Sequence, residues 1–304
     1  MTCVAVLMGG ISKEREISLK TGAAIANALE KLGHDVVTLD VKGPEFIQTL
    51  IERKVAVAFI AMHGRYGEDG SVQGVLEWLK IPYTGSSVKV SALCFDKRMT
   101  KIFLDEFEVP TPKYRVFRKN DEVNSFIANF DIPLPVIVKP NTEGSTIGIS
   151  RVFKKEDLLA ALLEALKFDQ VVLVEQYIQG REVTVGVLDG KALPIIEVKP
   201  KGGFYDFASK YTKGATEYLV PAPLEEGLAR KISGMSEVIY RSLECSGAVR
   251  ADFMIDDSGD FYFLEVNTIP GMTETSLLPK AAMCQGITFE NLCSQILNGA
   301  SLKA

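Results

Sequence analysis

From Cys3 to Ala61 apolar strands alternate with amphipathic helices, and that order leaves few folds open. Cys3 to Met8 reads as an apolar strand that turns at Gly9-Gly10. Ile17, Ala24, Ile25, Ala28, Leu29 and Leu32 mark one face of a helix stopped at Gly33. Val36 to Val41 is a second strand, and Pro44 to Arg53 a short helix with proline at its start. Val55 to Ala61 is a continuous apolar strand of the kind buried in parallel sheets. This β-α-β-α-β order predicts a doubly wound α/β domain over residues 1–93. A chain of 304 residues exceeds one ordinary core. Two further α/β domains are expected, over 94–178 and 179–304.

The second region has a helix carrying Lys97, Lys101 and Phe103, then a break at Pro110-Thr-Pro112. A strand, Val136 to Lys139, runs into the loop Lys139-Pro-Asn-Thr-Glu-Gly144-Ser-Thr-Ile-Gly148. An amphipathic helix over Glu156 to Lys167 and an apolar strand, Val171 to Val174, follow. The third region opens on a hairpin with an Asp189-Gly190 turn. The polar stretch Lys199 to Thr216 has two adjacent glycines and little periodicity, and reads as a lid. Helices are expected over Glu225 to Leu243 and Phe289 to Leu297.

Between those helices lies a second hairpin, Arg250 to Ile255 and Asp260 to Asn267, joined by Asp256-Asp-Ser-Gly259. Strand side chains alternate faces, so Arg250 shares a face with Asp252, and Glu265 with Asn267. If the pairing aligns those faces, two carboxylates and a carboxamide converge beside a guanidinium. Two like charges ~4 Å apart cost roughly 4 kcal/mol at an effective dielectric near 20, and a divalent cation removes that cost. All-oxygen ligands suit Mg²⁺ or Mn²⁺ better than Zn²⁺. Pro270-Gly271 directly after Asn267 exposes backbone N–H groups to whatever the metal holds. A solvated acidic face with ordinary turn chemistry is the competing account of the same residues.

Composition excludes several classes. A net charge of −5 without a long basic run argues against nucleic acid as the main partner. The longest apolar stretch, Val55 to Met62, is too short to span a bilayer, and the N-terminus reads as a strand, not a signal peptide. Five scattered cysteines without a C-x-x-C pair predict neither a disulfide framework nor a zinc site. A cytoplasmic protein is expected.

No Walker-type P-loop and no G-x-G-x-x-G after the first strand occur. Lys139 with its glycine loop offers another device, an ammonium and backbone N–H groups around phosphate oxygens. A plain hairpin connection is the alternative. Lys97 and Lys139 are either phosphate ligands or surface lysines. Glu175, at the end of the Val171 strand, either receives an adenine or ribose or simply ends a strand. His63 ends the third strand and is either a hydrogen-bonded core histidine or a group that supports the site.

Together a lysine before a domain junction, a Lys-Pro strand with a glycine loop, a strand ending in Glu, a lid and an Asp…Glu-x-Asn hairpin resemble the ATP-grasp superfamily. Six segments resemble the D-alanine–D-alanine ligases more closely, in the same order. They are Val6 to Ser18, His63-Gly-Arg-Tyr-Gly-Glu-Asp-Gly70, Pro82 to Ser86, Lys139 to Ser145, Phe204 to Tyr211 and Glu265-Val-Asn-Thr-Ile-Pro-Gly-Met-Thr273. The resemblance runs from the first strand at least to Leu278.

It implies an ATP-grasp fold and ATP-dependent joining of two D-alanine molecules through an acyl phosphate, for peptidoglycan precursors. It implies phosphate contacts from Lys97, Lys139 and Lys210, and adenine and ribose contacts from Glu175 and Glu182. Asp252, Glu265 and Asn267 would hold Mg²⁺ or Mn²⁺, as two ions. Arg250 and the Gly271 N–H would stabilise an oxyanion. Glu14 would pair with the first D-alanine ammonium and form a hydroxyl relay with Ser145 and Tyr211; taken alone, Glu14 reads as a charge at a helix start. Ser276 and the Leu277 N–H would receive the second carboxylate, with His63 nearby. A homodimer is implied. The lid departs from the family, reading Phe207-Ala-Ser-Lys-Tyr211 where Tyr-Glu-Ala-Lys-Tyr is common, and the glycine loop is a mild variant. Tyr211 favours an amine nucleophile. A D-hydroxy acid acceptor, or nucleotide binding without catalysis, are the competing functions.

Overall fold

The computed structural model describes residues 3–202, 214–273 and 275–303. Residues 203–213, which include Lys210 and Tyr211 and fall within the stretch expected as a lid, lie outside them.

Strands β1 (Cys3–Met8), β2 (Asp35–Asp40) and β3 (Val57–Ile60) form a parallel sheet in the order β2-β1-β3. Helices α1 (Arg15–Lys31) and α2 (Glu45–Glu52) make the crossovers. Val4 to Leu7 have no exposed surface, as expected for a strand covered on both faces. Gly22 lets α1 lie close on β1, since a Cβ there would come 2.4 Å from Met8 Sδ. Three further helices follow, α3 (Ser71–Leu79), α4 (Val88–Phe95) and α5 (Lys97–Asp105). The Asp96 carboxylate caps α5 by accepting from Met99 N, which fixes where Lys97 leaves the chain.

A four-stranded antiparallel sheet comes next, ordered β4-β7-β5-β6 from β4 (Tyr114–Arg118), β5 (Val136–Pro140), β6 (Ser150–Val152) and β7 (Val171–Gln176). Helix α6 (Val123–Ala128) and helix α7 (Leu158–Ala165) accompany it. The helix expected from Glu156 to Lys167 is shorter, because a 3₁₀ turn over Lys155–Asp157 precedes it. Leu158, Ala161, Leu162 and Ala165 form its buried stripe, and those four suffice to seat it on β5.

The third sheet runs β11-β10-β8-β12-β13, with β9 paired to β8. Its strands are β8 (Gly180–Leu188), β9 (Lys191–Ala192), β10 (Ile196–Pro200), β11 (Thr216–Leu219), β12 (Ala248–Asp256) and β13 (Phe261–Asn267). The long β12 pairs with β8 along its whole length, so its acidic end has a partner strand on each side. Helix α8 (Glu226–Ser242) packs on β8 and β9. The last helices, α9 (Leu277–Cys284) and α10 (Phe289–Asn298), turn back to the start of the chain. Leu292, Cys293, Ile296 and Leu297 share one core with Val4, Ile25, Leu29 and Phe59. Residues nearly 300 positions apart in sequence therefore pack in the same core.

Candidate active site

The β12–β13 register sets Arg250 opposite Asn267 and Asp252 opposite Glu265, so the four polar groups share one face. Beneath them the opposite face is apolar: Phe253 and Phe263 are buried and meet edge-on, with centroids 5.9 Å apart. A register shift just after Asp252 re-aims the strand at that point. Arg250 grips Asp252 with two donors, Nε to Oδ1 at 2.9 Å and Nη2 to Oδ2 at 2.8 Å. Thr184, opposite Asp252 on β8, donates from Oγ1 to Oδ1 at 2.5 Å. Glu265 Oε2 lies 3.2 Å from the Lys97 ammonium, which also donates to Glu143 O at 2.7 Å. Asn267 Oδ1 accepts from Ile269 N at 2.9 Å, which turns the chain toward Gly271.

Among the described residues no group of three or more His, Cys, Asp or Glu side chains gathers as a metal site. Asp252 and Glu265 supply two carboxylates, and Asn267 adds an amide oxygen. That sparse, all-oxygen set fits a hard cation whose other ligands come from phosphate and water. The Lys97 ammonium beside Glu265 marks where positive charge is favourable.

Two cavities meet on this hairpin. One, of about 440 Å³, is lined by Lys97, Lys139 and Glu175, with apolar walls from Ile178, Met254 and Leu264. The other, of about 620 Å³, is lined by Glu14, His63, Ser145, Arg250, Asn267, Gly271, Ser276 and Leu277. Glu182, Asp252 and Glu265 line both. Every expected site residue that falls among the described ones thus faces one or both cavities. A flat aromatic ligand suits the first, with charge directed to the junction. A small zwitterion suits the second, whose lining holds both carboxylates, such as Glu14 and Glu182, and donors, such as Arg250 and Ser276.

In the second cavity, Glu14 does not cap α1 although it sits at its start. Its Oε1 instead accepts from Ser145 Oγ in the glycine loop. Ser145 and Thr146 both have positive φ, 51° and 62°, uncommon for non-glycine residues and frequent at ligand-clamping turns. His63 is buried, with Nε2 3.2 Å from Thr21 Oγ1 and Nδ1 3.7 Å from Glu68 Oε1. Burial pushes its pKa down, but Glu68, helped by Glu14, more than offsets this, so the net shift is upward. Ser276 Oγ accepts from Thr273 N at 3.0 Å and pairs with Thr273 Oγ1 at 2.8 Å, locking the turn after Gly271. The first N–H groups of α9, which begins at Leu277, are unbonded within their helix and suit a carboxylate.

In the first cavity, Lys97 and Lys139 are buried, not surface, residues. Lys139 Nζ lies 2.8 Å from Glu175 Oε2. Ile137 faces Glu175 across the β5–β7 pair, so Lys139 is its diagonal neighbour on the same face. A third member, Lys101, is fully buried with Nζ 3.2 Å from Glu175 Oε1. Burial pulls Lys101 down to about 8, with Glu175 opposing that shift. Burial also pushes Glu175 up, but the two lysines together hold its carboxyl below the usual range. Sequence patterning puts Lys101 on a helix one turn after Lys97 without giving it a role. Thr184 and Thr21 carry no sequence signal either, because strand register and helix packing bring them in, and Glu68 lies in the His63 to Gly70 segment without a role assigned from sequence.

Comparison with known proteins decides the family. Residues 103–298 match the family model "D-ala D-ala ligase C-terminus", and 42–86 the model "D-ala D-ala ligase N-terminus". A D-alanine–D-alanine ligase of Syntrophotalea carbinolica is 54% identical, covering 99% of this chain and 96% of that one. Another from Geotalea uraniireducens is 48% identical over the same shares. The chain belongs to the D-alanine–D-alanine ligase family. A solved Bacillus anthracis D-alanine–D-alanine ligase complexed with ATP is 34% identical, with a TM-score of 0.83, covering 98% of this chain and 97% of that one. The D-Ala:D-Ser ligase VanG of Enterococcus faecalis is 28% identical, also with a TM-score of 0.83, covering 98% of each chain. The fold is the expected α/β ATP-grasp fold.

Proposed function

We propose that this chain uses ATP to join two D-alanine molecules into D-alanyl-D-alanine, supplying peptidoglycan precursor synthesis in the cytoplasm. The observation that carries this is the sharing of Glu182, Asp252 and Glu265 between the two cavities, which brings a nucleotide's terminal phosphate to a small acid. The D-alanine relatives at 46–54% identity support the substrate.

The nucleotide base occupies the cavity beside Glu175, with ribose at Glu182 and phosphates at Lys97, Lys139 and Lys210. Asp252, Glu265 and Asn267 would hold Mg²⁺ or Mn²⁺, as two ions, which would neutralise charge on the phosphate oxygens. Glu14 receives the ammonium of the first D-alanine. The carboxylate oxygen of that first D-alanine attacks the γ-phosphorus; the bond from that phosphorus to the ADP oxygen breaks, giving D-alanyl phosphate and ADP. The amine of the second D-alanine, its carboxylate held by Ser276 and the Leu277 N–H, then attacks the acyl carbon. Arg250 and the Gly271 N–H stabilise the oxyanion, where one such donor contributes roughly 2.7–4 kcal/mol. The amine proton passes to the Glu14, Ser145 and Tyr211 relay, and phosphate leaves. His63 holds Thr21 and the substrate wall behind Glu14. The stretch Lys199 to Thr216, expected as a lid, would exclude water from the acyl phosphate.

Three units, 1–93, 94–178 and 179–304, each carry one sheet, and the assembly is a homodimer, testable by sedimentation. Among the described residues no helix is long and apolar enough to cross a membrane.

VanG gives one specific alternative, D-serine as acceptor, because its overall fold matches this one as well as the ATP-complexed D-alanine enzyme does. Phosphate release with ATP and Mg²⁺, measured against D-alanine, L-alanine, D-serine and D-lactate, separates the possibilities. Release and dipeptide are expected with D-alanine at neutral pH. Ester formation with D-lactate, or a mixed dipeptide made in preference with D-serine, would reassign the acceptor. Tight ATP binding without any release would leave a non-catalytic protein.

A further inference from the structure

Lys101 has no place in the chemistry above, yet it is among the largest side chains with almost no exposed surface. Its ammonium donates to Thr111 Oγ1 at 2.5 Å and lies 5.7 Å from the Tyr114 ring centroid. It lines neither cavity, whereas Lys139 and Glu175 line the first. Two buried ammoniums therefore share one buried carboxylate, and only one of the two has a route to the nucleotide. Lys139 cannot serve Glu175 and a phosphate at once at full strength. Without a second partner, its departure would strand a buried anion, one of the most unfavourable events in a protein interior. Lys101, anchored at Thr111, removes that obstacle.

We propose that Lys101 is a positioning residue, the fixed counter-ion that keeps Glu175 charged and in place while Lys139 turns to a nucleotide phosphate. Glu175 Oε1 is buried and accepts no aligned hydrogen bond among the described residues, although Lys101 Nζ is 3.2 Å away. The pair is thus held by charge and not by a directed hydrogen bond. This inference rests on the nucleotide assignment of the first cavity; wild-type ATP affinity, measured first by calorimetry, tests that assignment separately.

The experiment is a double-variant cycle with Lys101→Met and Glu175→Gln, reading ATP affinity and both KM values. Lys101→Met alone is expected to weaken ATP by about tenfold or more, while KM for D-alanine stays within about twofold. In the Glu175→Gln background, where no buried charge needs a partner, the same change is expected to move ATP affinity by less than about threefold. Equal losses in both backgrounds, or a matching rise in both KM values, would overturn the proposal. Should Lys101→Met alone not fold, Glu175→Gln against the double variant still decides: a further tenfold loss of ATP affinity contradicts it.

Discussion

Asp252 accepts three hydrogen bonds from Arg250 and Thr184, so its carboxylate is oriented before any metal arrives. Such supporting partners typically contribute 10–100-fold in metal affinity. Thr184→Val is therefore expected to raise the Mg²⁺ concentration for half-maximal activity by about 10–100-fold, read from a metal titration. No shift in that titration would remove Thr184 from the metal's support. Glu265 is different, because its side chain is 29% exposed and the core does not depend on it. Glu265→Gln should reduce kcat by at least about 100-fold with a thermal midpoint within a few degrees of the parent. Near-parental turnover in saturating Mg²⁺ would refute the metal assignment. His63 gives a pH test. Burial lowers its pKa and Glu68 reverses the sign, so its native value sits above the ordinary 6.5. Its protonated form then stabilises the fold below pH 6.5, and that contribution fades as pH rises through the raised value. Removing the acid in Glu68→Gln leaves burial dominant, and the His63 resonance should titrate below 6.5 by NMR. An unchanged midpoint would show that Glu68 does not govern it.

At the scale of elements, the turn between β1 and α1 aims Glu14 at the glycine loop. Gly9 has φ +74°, and a Cβ there would fall 2.2 Å from Asp40 Oδ1. Arg15 bridges Asp40 with two 2.6 Å contacts and also donates to Gly10 O at 3.2 Å, tying the turn to β2. The Arg15 guanidinium holds the Asp40 carboxyl down at about 2. Gly9→Ala must break this clasp, and roughly 1–3 kcal/mol of stability should be lost in denaturant melts. Parental stability would show that the turn tolerates a side chain. The parallel first sheet and both hairpins were legible in sequence, because buried parallel strands, Asp-Gly turns and face alternation are local signals. Alternation alone set Arg250 on one face with Asp252 and Glu265 on one face with Asn267; that the two faces align, with Arg250 opposite Asn267 and Asp252 opposite Glu265, is seen only in the register. Strands β4 and β6 and helices α3, α4, α6 and α9 had no expectation of their own. They are short, and their placement rests on contacts remote in sequence. Burial of Lys97 and Lys101 on α5 and of Lys139 on β5 was equally hidden, since a lysine on a helix or at a strand end looks like a surface lysine until its carboxylate partner is seen.

Across the whole molecule, the first sheet depends on the last helix. Leu292 is fully buried among residues that include Val4, Ile25 and Phe59. Leu292→Ala should cost about 2–5 kcal/mol and lower the melting of the first sheet together with the rest, since both belong to one core. A separate early transition confined to α10 would contradict that coupling. The same packing brings Glu14 and His63, from the first third of the chain, to the cavity that Arg250, Gly271 and Ser276 line from the last. The proposed chemistry requires that Asp252, Glu265 and Asn267 hold a divalent ion where the two cavities join. Anomalous scattering from crystals grown with Mn²⁺, a non-hydrolysable ATP analogue and D-alanine tests it directly. The expected result is a manganese peak ligated by those three side chains and nucleotide phosphate; nucleotide bound with no manganese at that position would contradict it.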